Sequence, residues 1–173
     1  MKRLILQRHA KTEAWYEGVD DHGRALLERG RHDAVLMAEE LLSLEWTPDL
    51  ALVSTARRAR ETWAGAVTVF PATQYRLDEG LYLAGAGGLE SFASANDGVG
   101  TLIIIGHNPG IHDFALSILR QAGSHDHQAA LRLTEKFPTG CAALFEADED
   151  GAFIMPHFKL VDVIRPKELR PAD

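Results

Sequence analysis

Short apolar runs alternate along the chain with longer segments in which apolar residues recur at helical spacing. The first run begins at Arg3 and ends on Arg8-His9, and similar runs lie at 50–54, 73–77 and 101–105. Short apolar runs rich in aliphatic and β-branched residues are typical of buried strands. The segments between and after these runs predict amphipathic helices, at about 34–42, at 56–67, from 89 onward and at 111–121.

Two further strands are predicted late in the chain, at 139–146 and 151–158. The sequence Asp148-Glu149-Asp150-Gly151 between them favours a hairpin, and the segment 165–169 is expected to be a surface end. The earlier alternation of strands and helices is typical of an α/β fold with a mainly parallel sheet. We therefore predict one domain over residues 1–173, a three-layer helix/sheet/helix arrangement with a mainly parallel central sheet and an antiparallel edge.

Composition narrows the class of protein. The 173 residues are enough for one domain with a sizeable core. A formal net charge of −7 disfavours nucleic acid or an anionic membrane as a partner. The single cysteine, Cys141, excludes an intramolecular disulfide framework and is compatible with a reducing cytosol. Because Arg8 and His9 interrupt the first apolar run, we predict no signal peptide or transmembrane span and expect a cytoplasmic protein.

Polar or cationic side chains stand at the junctions after three of the predicted strands. These junctions are Arg8-His9, the stretch from Ser54 to Arg58, and Gly106-His107-Asn108. Parallel strands present their carboxyl ends at one edge of a sheet, where α/β proteins bind ligands. Two histidines and two arginines at that edge suit a phosphate better than a metal ion, because a guanidinium repels cations and forks onto phosphate oxygens.

Two predicted helices start at these junctions, and their N-terminal dipoles would point at the bound anion. Ser54-Thr55 is the expected N-cap of the first of these helices. Asn108 is the expected N-cap of the second, with Pro109 as its first helical residue.

Three motifs, in this order, resemble those of the histidine phosphatase superfamily, also called phosphoglycerate-mutase-like. They are Arg8-His9-Ala10, the Ser-x-x-x-Arg-Ala stretch from Ser54 to Ala59, and Gly106-His107-Asn108-Pro109. The opening Arg-His-Ala-Lys-Thr, the Asp21-x-x-Arg24-x-Leu26 pattern and the ending 165–169 are similar to SixA-type phosphohistidine phosphatases. Each motif is weak alone, but the three core motifs, each after an apolar strand, form a strong joint signal.

The resemblance implies a role for each matching residue. His9 would attack phosphorus and become phosphohistidine, and water would then hydrolyse that intermediate. Arg8, Arg58 and His107 would bind the phosphoryl oxygens and stabilise the transition state, which requires no metal ion and no cofactor. Further substrate contacts are expected from three polar side chains, Asn108, Thr12 and Arg24.

The general acid is expected to be Glu79, which follows the predicted third strand, where the superfamily often places its acid. Asp21 and Glu13, in the first loop, are the alternatives. The chain departs from the family pattern at two positions. Thr55 stands where proline usually follows the serine, and Gly23 stands where this branch often has aspartate before Arg24.

The sequence His125-Asp126-His127 could suggest a metal site. No third ligand group is evident nearby in the sequence, and metal sites are built from several such groups. We therefore interpret this segment as an exposed polar loop and expect no metal site in the protein.

The predicted function is hydrolysis of phosphohistidine, for example on a histidine phosphotransfer domain, because a short chain without a long lid insertion could admit a folded protein. A small phosphorylated metabolite is the alternative substrate, and a mutase is less favoured because mutases must shield the phosphorylated enzyme from water. A phosphoprotein-binding module without catalysis is the alternative from another class, against which the intact His9 argues.

Overall fold

The computed structural model describes residues 1–18, 20–123 and 125–170. Its strands are β1 (Arg3–Arg8), β2 (Leu50–Ser54), β3 (Gln74–Asp78), β4 (Thr101–Gly106), β5 (Ala142–Ala147) and β6 (Phe158–Ile164). They form one six-stranded sheet in the order β3-β2-β4-β1-β5-β6. The first four strands along the chain run parallel, whereas β5 is antiparallel to both β1 and β6.

Helices cover both faces of this sheet. They are α1 (Glu28–Ser43), α2 (Arg57–Ala66), α3 (Ala86–Ala95), α4 (Gly110–Gln121), α5 (His127–Glu135) and α6 (Pro166–Leu169). Ile5 in β1 belongs to the apolar layer under α1 and α2, while Leu4 and Leu6 belong to the layer under α3, α4 and α5. The two-residue alternation of the strand therefore builds two cores. Within the described residues, each helix is too short or too polar to span a bilayer.

This architecture confirms the predicted fold class. The central sheet is mainly parallel, it lies between two helical layers, and its antiparallel part is at one edge. The parallel strands β1, β2 and β4 are neighbours, and Arg8 at the end of β1 pairs in register with Gly106 at the end of β4. The carboxyl ends that carry the three sequence motifs therefore lie side by side.

The prediction of the last strand is wrong. The segment 151–158 is loop and a short 3₁₀ turn at Met155–His157, and β6 begins only at Phe158. Pro156 lacks the N–H that a paired strand needs. Phe153 in the loop is instead buried, with its ring centroid 5.0 Å from that of Phe158. The tight hairpin expected at 148–151 is likewise a longer connection.

The segment His125-Asp126-His127 is exposed and polar, as predicted, but only its first two residues are loop. α5 begins at His127, and Asp126 is its N-cap, with the carboxylate accepting the Ala129 N–H at 2.8 Å. Only Ala129 and Leu133 of this helix are buried, so its apolar periodicity is too sparse to predict it. Asp126 thus has a capping role.

Both predicted N-caps at the sheet edge differ from the structure. α2 has Ala56 and α4 has Pro109 at the N-cap, and neither receives a side-chain cap. Ser54 and Asn108 direct their side chains elsewhere, to His107 and to the Phe137 carbonyl. Besides a local bond from the Ala56 N–H to the Ser54 hydroxyl at 3.3 Å, both side chains therefore contact segments that are distant in sequence.

The end of the chain is more firmly held than predicted. Pro166 in α6 is buried, and Leu169 packs against the apolar layer under α1 and α2. Arg170 donates from Nε and Nη2 to the two carboxylate oxygens of the buried Asp33 in α1, at 2.8 and 2.6 Å. A buried carboxylate needs such a partner, so this ion pair ties the described end of the chain to α1.

Two glycines allow close backbone approach at the ends of the site-bearing segments. A Cβ at Gly30 in α1 would overlap the Lys11 carbonyl oxygen, and a Cβ at Gly110 in α4 would overlap the Ala84 carbonyl oxygen. Any larger residue at these positions would push the segments after β1 and β3 away from the helices.

Candidate active site

β1 brings Arg8 and His9 to the carboxyl edge of the sheet. The His9 backbone N–H donates to the Gly106 carbonyl at 3.0 Å, and ring Nδ1 lies 2.8 Å from the Ala10 carbonyl oxygen. Because a carbonyl oxygen only accepts, Nδ1 carries the proton and donates it. In the neutral ring Nε2 is therefore unprotonated, and its lone pair is available to attack an electrophile.

His107 follows β4 into the same edge. Its ring centroid is 5.2 Å from that of His9, with an interplanar angle of 50°. Nε2 lies 2.8 Å from the hydroxyl of Ser54, and Ser54 Oγ already accepts the Ala56 N–H at 3.3 Å. The Ser54 hydroxyl is buried and has no other acceptor among the described residues, so it donates to His107 Nε2 and Nδ1 carries the ring proton. Nδ1 is buried and has no hydrogen-bond partner among the described residues, which makes it a donor for a bound anion.

Arg8 and Asn108 are linked through one backbone carbonyl. Arg8 Nη1 and Asn108 Nδ2 both donate to the Phe137 carbonyl, at 3.1 and 2.9 Å. Arg8 Nε and Asn108 Oδ1 are buried without a partner among the described residues. The loop before β5 therefore holds these two side chains beside the histidines, and Arg8 keeps donor capacity for an anion.

Arg58 enters the site from the first turn of α2. Its side chain is buried and donates from Nη1 to the Asp21 backbone carbonyl at 2.6 Å and from Nη2 to the Asp21 carboxylate at 3.1 Å. Tyr82 donates its hydroxyl to the same carboxylate at 2.7 Å. Arg24 Nε donates to the other carboxylate oxygen at 3.0 Å. Asp21 thus joins Arg58, Arg24 and Tyr82 into one network.

Thr12 and Arg24 lie at the outer side of this network. Arg24 Nη1 is 3.5 Å from the Thr12 hydroxyl and donates to the Glu13 carbonyl at 3.2 Å. Both residues are partly exposed. The structure therefore brings Thr12 and Arg24 together and connects them to Arg58 through Asp21.

Glu79 lies directly after β3 in a short 3₁₀ turn, and its side chain is exposed. Among the described residues, the Glu79 carboxylate makes no hydrogen bond or ion pair with the other predicted site residues. Glu13, one of the two alternatives, is also exposed and contributes its backbone carbonyl to Arg24.

Asp21, the other alternative, is ionised in this network. Burial raises the pKa of its carboxyl group, but the Tyr82 hydrogen bond and the charges of Arg58 and Arg24 outweigh burial and lower the pKa overall. A carboxylate held in this way is a poor proton donor. Its contacts make it an anchor for Arg58.

The two imidazoles are neutral near pH 7. Burial is the largest cause, and it lowers the pKa of both His9 and His107 from an ordinary 6.5 to about 3. The Ala10 carbonyl opposes the shift at His9, while the positive charge of Arg58 adds to it in both rings. A neutral His9 keeps its Nε2 lone pair, as a nucleophile must.

Tyr82 and His22 are site residues that sequence reasoning missed. The Tyr82 ring packs edge-on against His107 at 5.5 Å between centroids and against His22 at 4.9 Å. His22 Nε2 in turn lies 3.0 Å from the Thr55 hydroxyl. Neither residue belongs to a motif or to an apolar period, so only their tertiary position indicates their role. Burial and the Asp21 hydrogen bond raise the pKa of Tyr82.

The donor set at this edge favours an anion. Arg8 and Arg58 supply positive charge, and His107 supplies a neutral N–H donor. Across the described residues, no three His, Cys, Asp or Glu side chains are grouped as a metal site requires.

Comparison with known proteins identifies the family. The model of the histidine phosphatase superfamily (branch 1) matches residues 4–93. An uncharacterised protein of Mycobacterium tuberculosis is 36% identical over 150 residues, which cover 86% of this chain and 92% of that protein.

Two solved structures of candidate phosphohistidine phosphatases named SixA share the fold. The protein from Agrobacterium tumefaciens superposes with a TM-score of 0.80 at 25% identity, covering 95% of this chain and 99% of its own. The protein from Nakamurella multipartitia gives 0.80 at 26% identity, covering 95% and 96%. The resemblance drawn from the three motifs is confirmed: the chain belongs to the histidine phosphatase superfamily, in its SixA-type branch.

Proposed function

We propose that this protein is a phosphatase that hydrolyses phosphohistidine on a partner protein through a covalent intermediate on His9. The observation that carries the proposal is the neutral, buried His9 ring, whose Nδ1 is bound to the Ala10 carbonyl while Nε2 has no proton. Membership of the histidine phosphatase superfamily supports phosphatase activity.

In the first step, the lone pair of His9 Nε2 forms a bond to phosphorus while the bond from phosphorus to the substrate nitrogen breaks. The departing imidazole keeps the electron pair of that bond and carries its own proton. Arg8, Arg58 and His107 Nδ1 donate hydrogen bonds to the three phosphoryl oxygens as their charge is redistributed. Donors held in position before the reaction stabilise such a transition state without further reorganisation.

In the second step, water attacks phosphorus, the bond between Nε2 and phosphorus breaks, and inorganic phosphate leaves with both protons of the water. His9 thereby regains its lone pair. The proposal needs no metal ion, because the two guanidinium groups supply the positive charge that a metal would supply in other phosphatases.

Exposed apolar side chains favour a protein as substrate. The loops that carry Thr12 and Tyr82 expose Trp15, Tyr16 and Leu83 by 58%, 68% and 57%. Exposed aromatic side chains are enriched at surfaces that bind other proteins. A small metabolite would contact the phosphate-binding residues and would not need these exposed apolar side chains.

His9→Ala should lower turnover by about 10³-fold or more, because the variant has no nucleophile. The wild-type protein should form an acid-labile phosphoenzyme with radiolabelled substrate, and the variant should not. His32→Ala, which removes an exposed histidine from α1, is the control and should retain full activity. Retained turnover or labelling in His9→Ala would remove His9 from this role, and an inactive wild type would favour a binding module.

A phosphohistidine-bearing phosphotransfer domain and p-nitrophenyl phosphate should be hydrolysed with different efficiency. We expect a higher kcat/KM for the phosphoprotein and no loss of activity with EDTA, since arginines carry the charge. A preference for small phosphate esters would instead indicate a general phosphomonoesterase. Loss of activity in EDTA that zinc or magnesium restores would contradict the metal-free mechanism.

We retain Glu79 as the proposed general acid for substrates with poor leaving groups, because it follows β3 at the carboxyl edge. Glu79→Gln should slow an alkyl phosphate by about tenfold or more and leave p-nitrophenyl phosphate nearly unchanged, since a stable leaving group needs no proton. Glu13→Gln is the matched control from the alternative loop. Equal effects of Glu79→Gln on both substrates would exclude Glu79 as the acid.

Stability should fall in acid because His9 is buried in its neutral form. The unfolded chain takes up this proton near pH 6.5, whereas in the folded chain the pKa of His9 is about 3. Between these values the unfolded state binds more protons, so the free energy of unfolding decreases as pH falls from 6.5 toward 3. His9→Gln should flatten this decrease in urea unfolding measured across that range. Identical pH dependence in both proteins would contradict the low pKa.

A further inference from the structure

A cavity of about 540 Å³ lies next to the active site and has strongly positive walls. We call it the basic groove. It is lined by two acidic side chains, Asp33 and Glu168, and by six cationic ones, Lys11, Arg29, Lys136, Arg165, Lys167 and Arg170. The chain as a whole has a net charge of −7, so the groove is positive although the protein is acidic overall.

Three segments are packed together to form the basic groove. Leu27 N–H donates to the Lys11 carbonyl at 2.9 Å, and Gly30 lies so close to this carbonyl that a Cβ would overlap it. The start of α1 therefore lies against the segment after β1. Gly140, at φ +80°, leaves room for Pro166 of α6, since a Cβ would lie 2.6 Å from the proline ring.

The same residues connect the basic groove with the active site. Gly140 N–H donates to the His9 carbonyl at 2.9 Å, and the Phe137 carbonyl holds Arg8. Pro138 and Thr139 lie between Phe137 and Gly140 in the chain, and they line the groove. Lys11, two positions after His9, also lines it. Residues that line the groove are thus direct sequence neighbours of residues that contact His9 and Arg8.

Three of the cations are available to a ligand. Lys11, Arg29 and Lys167 are exposed and form no ion pair among the described residues. By contrast, Arg170 is bound to Asp33, and Arg165 is bound to Glu135 at 3.1 Å. The bound arginines hold the walls in place, and the exposed cations present their charge outward.

We propose that the basic groove docks an acidic surface of the protein whose phosphohistidine reaches His9. This inference rests on the proposed function and names the chemistry of its partner. The available cations come from separate segments and are exposed, whereas a site for a second phosphate would gather buried, bidentate arginines. Dispersed exposed charges steer an oppositely charged protein and set its orientation.

The test is the triple variant Lys11→Gln, Arg29→Gln, Lys167→Gln. Its kcat/KM for an acidic histidine phosphotransfer domain carrying phosphohistidine should fall about tenfold or more at low ionic strength, and the salt dependence of the wild type should weaken. Its kcat/KM for p-nitrophenyl phosphate should remain unchanged, because that substrate does not reach the groove.

The control variant removes three exposed cations elsewhere, Lys2→Gln, Arg76→Gln and Arg120→Gln, and so has the same net charge. Lys2 precedes β1 and Arg120 is near the end of α4, so both lie toward the amino ends of the parallel strands. Arg76 is on β3, the outermost strand of the sheet. The control should keep wild-type kcat/KM for both substrates. An equal loss in the control and in the triple variant would show that only net charge matters and would overturn the proposal.

A second measurement separates the docking surface from the proposed reaction. Binding of a fluorescent poly-glutamate peptide should be weakened about tenfold or more in the groove variant relative to the wild type and the control. If no phosphohistidine is hydrolysed but this difference persists, the proposed function fails and the docking surface stands. Equal peptide binding by all three proteins, or none, overturns the docking surface whatever the enzyme hydrolyses.

Discussion

The proposed chemistry depends on one hydrogen bond, from Nδ1 of His9 to the carbonyl oxygen of Ala10 at 2.8 Å. It decides which ring nitrogen carries the proton, and it leaves the other nitrogen with a free lone pair. Its acceptor belongs to the adjacent residue, and the Ala10 N–H donates to the Thr62 hydroxyl at 3.0 Å. Thr62 in turn donates to the Arg58 carbonyl at 2.7 Å. Ala10, whose carbonyl orients the His9 ring, is therefore tied to the first turn of α2, which carries Arg58.

The site keeps two imidazoles neutral and also holds two charged guanidinium groups beside them. Burial disfavours the charged form of an imidazole, and two nearby guanidinium groups disfavour it further, so both histidines stay neutral. The guanidinium groups themselves are partly or fully buried and need acceptors. Asp21 and the Phe137 carbonyl supply them, and they leave donor positions on Arg8 unpaired. An incoming phosphoryl group would meet these donors without displacing a protein partner from each of them.

The parallel part of the fold could be predicted because each of its strands is an apolar run with a polar junction at its end. β6 and α5 could not be predicted correctly, because the apolar periodicity of each segment is weak or misleading. The loop before β6 contains the buried Phe153, so its apolar residues resemble those of a strand. α5 buries only two side chains. In the site, Arg8, His9, Arg58 and His107 stand in motifs, whereas Tyr82 and His22 acquire their positions only when the loop after β3 packs against the first loop.

By itself the sequence determined the parallel part of the sheet, the family and the four cationic or imidazole side chains at its carboxyl edge, because strand period and junction residues are local properties of the chain. The tertiary structure decided which imidazole nitrogen is bare, which carboxylate holds Arg58, and how Lys11, Arg29 and Lys167 come to share one groove. Each of these depends on hydrogen bonds or packing between segments far apart in sequence. Periodicity carries no information about such contacts, since it reports only which face of an element is buried.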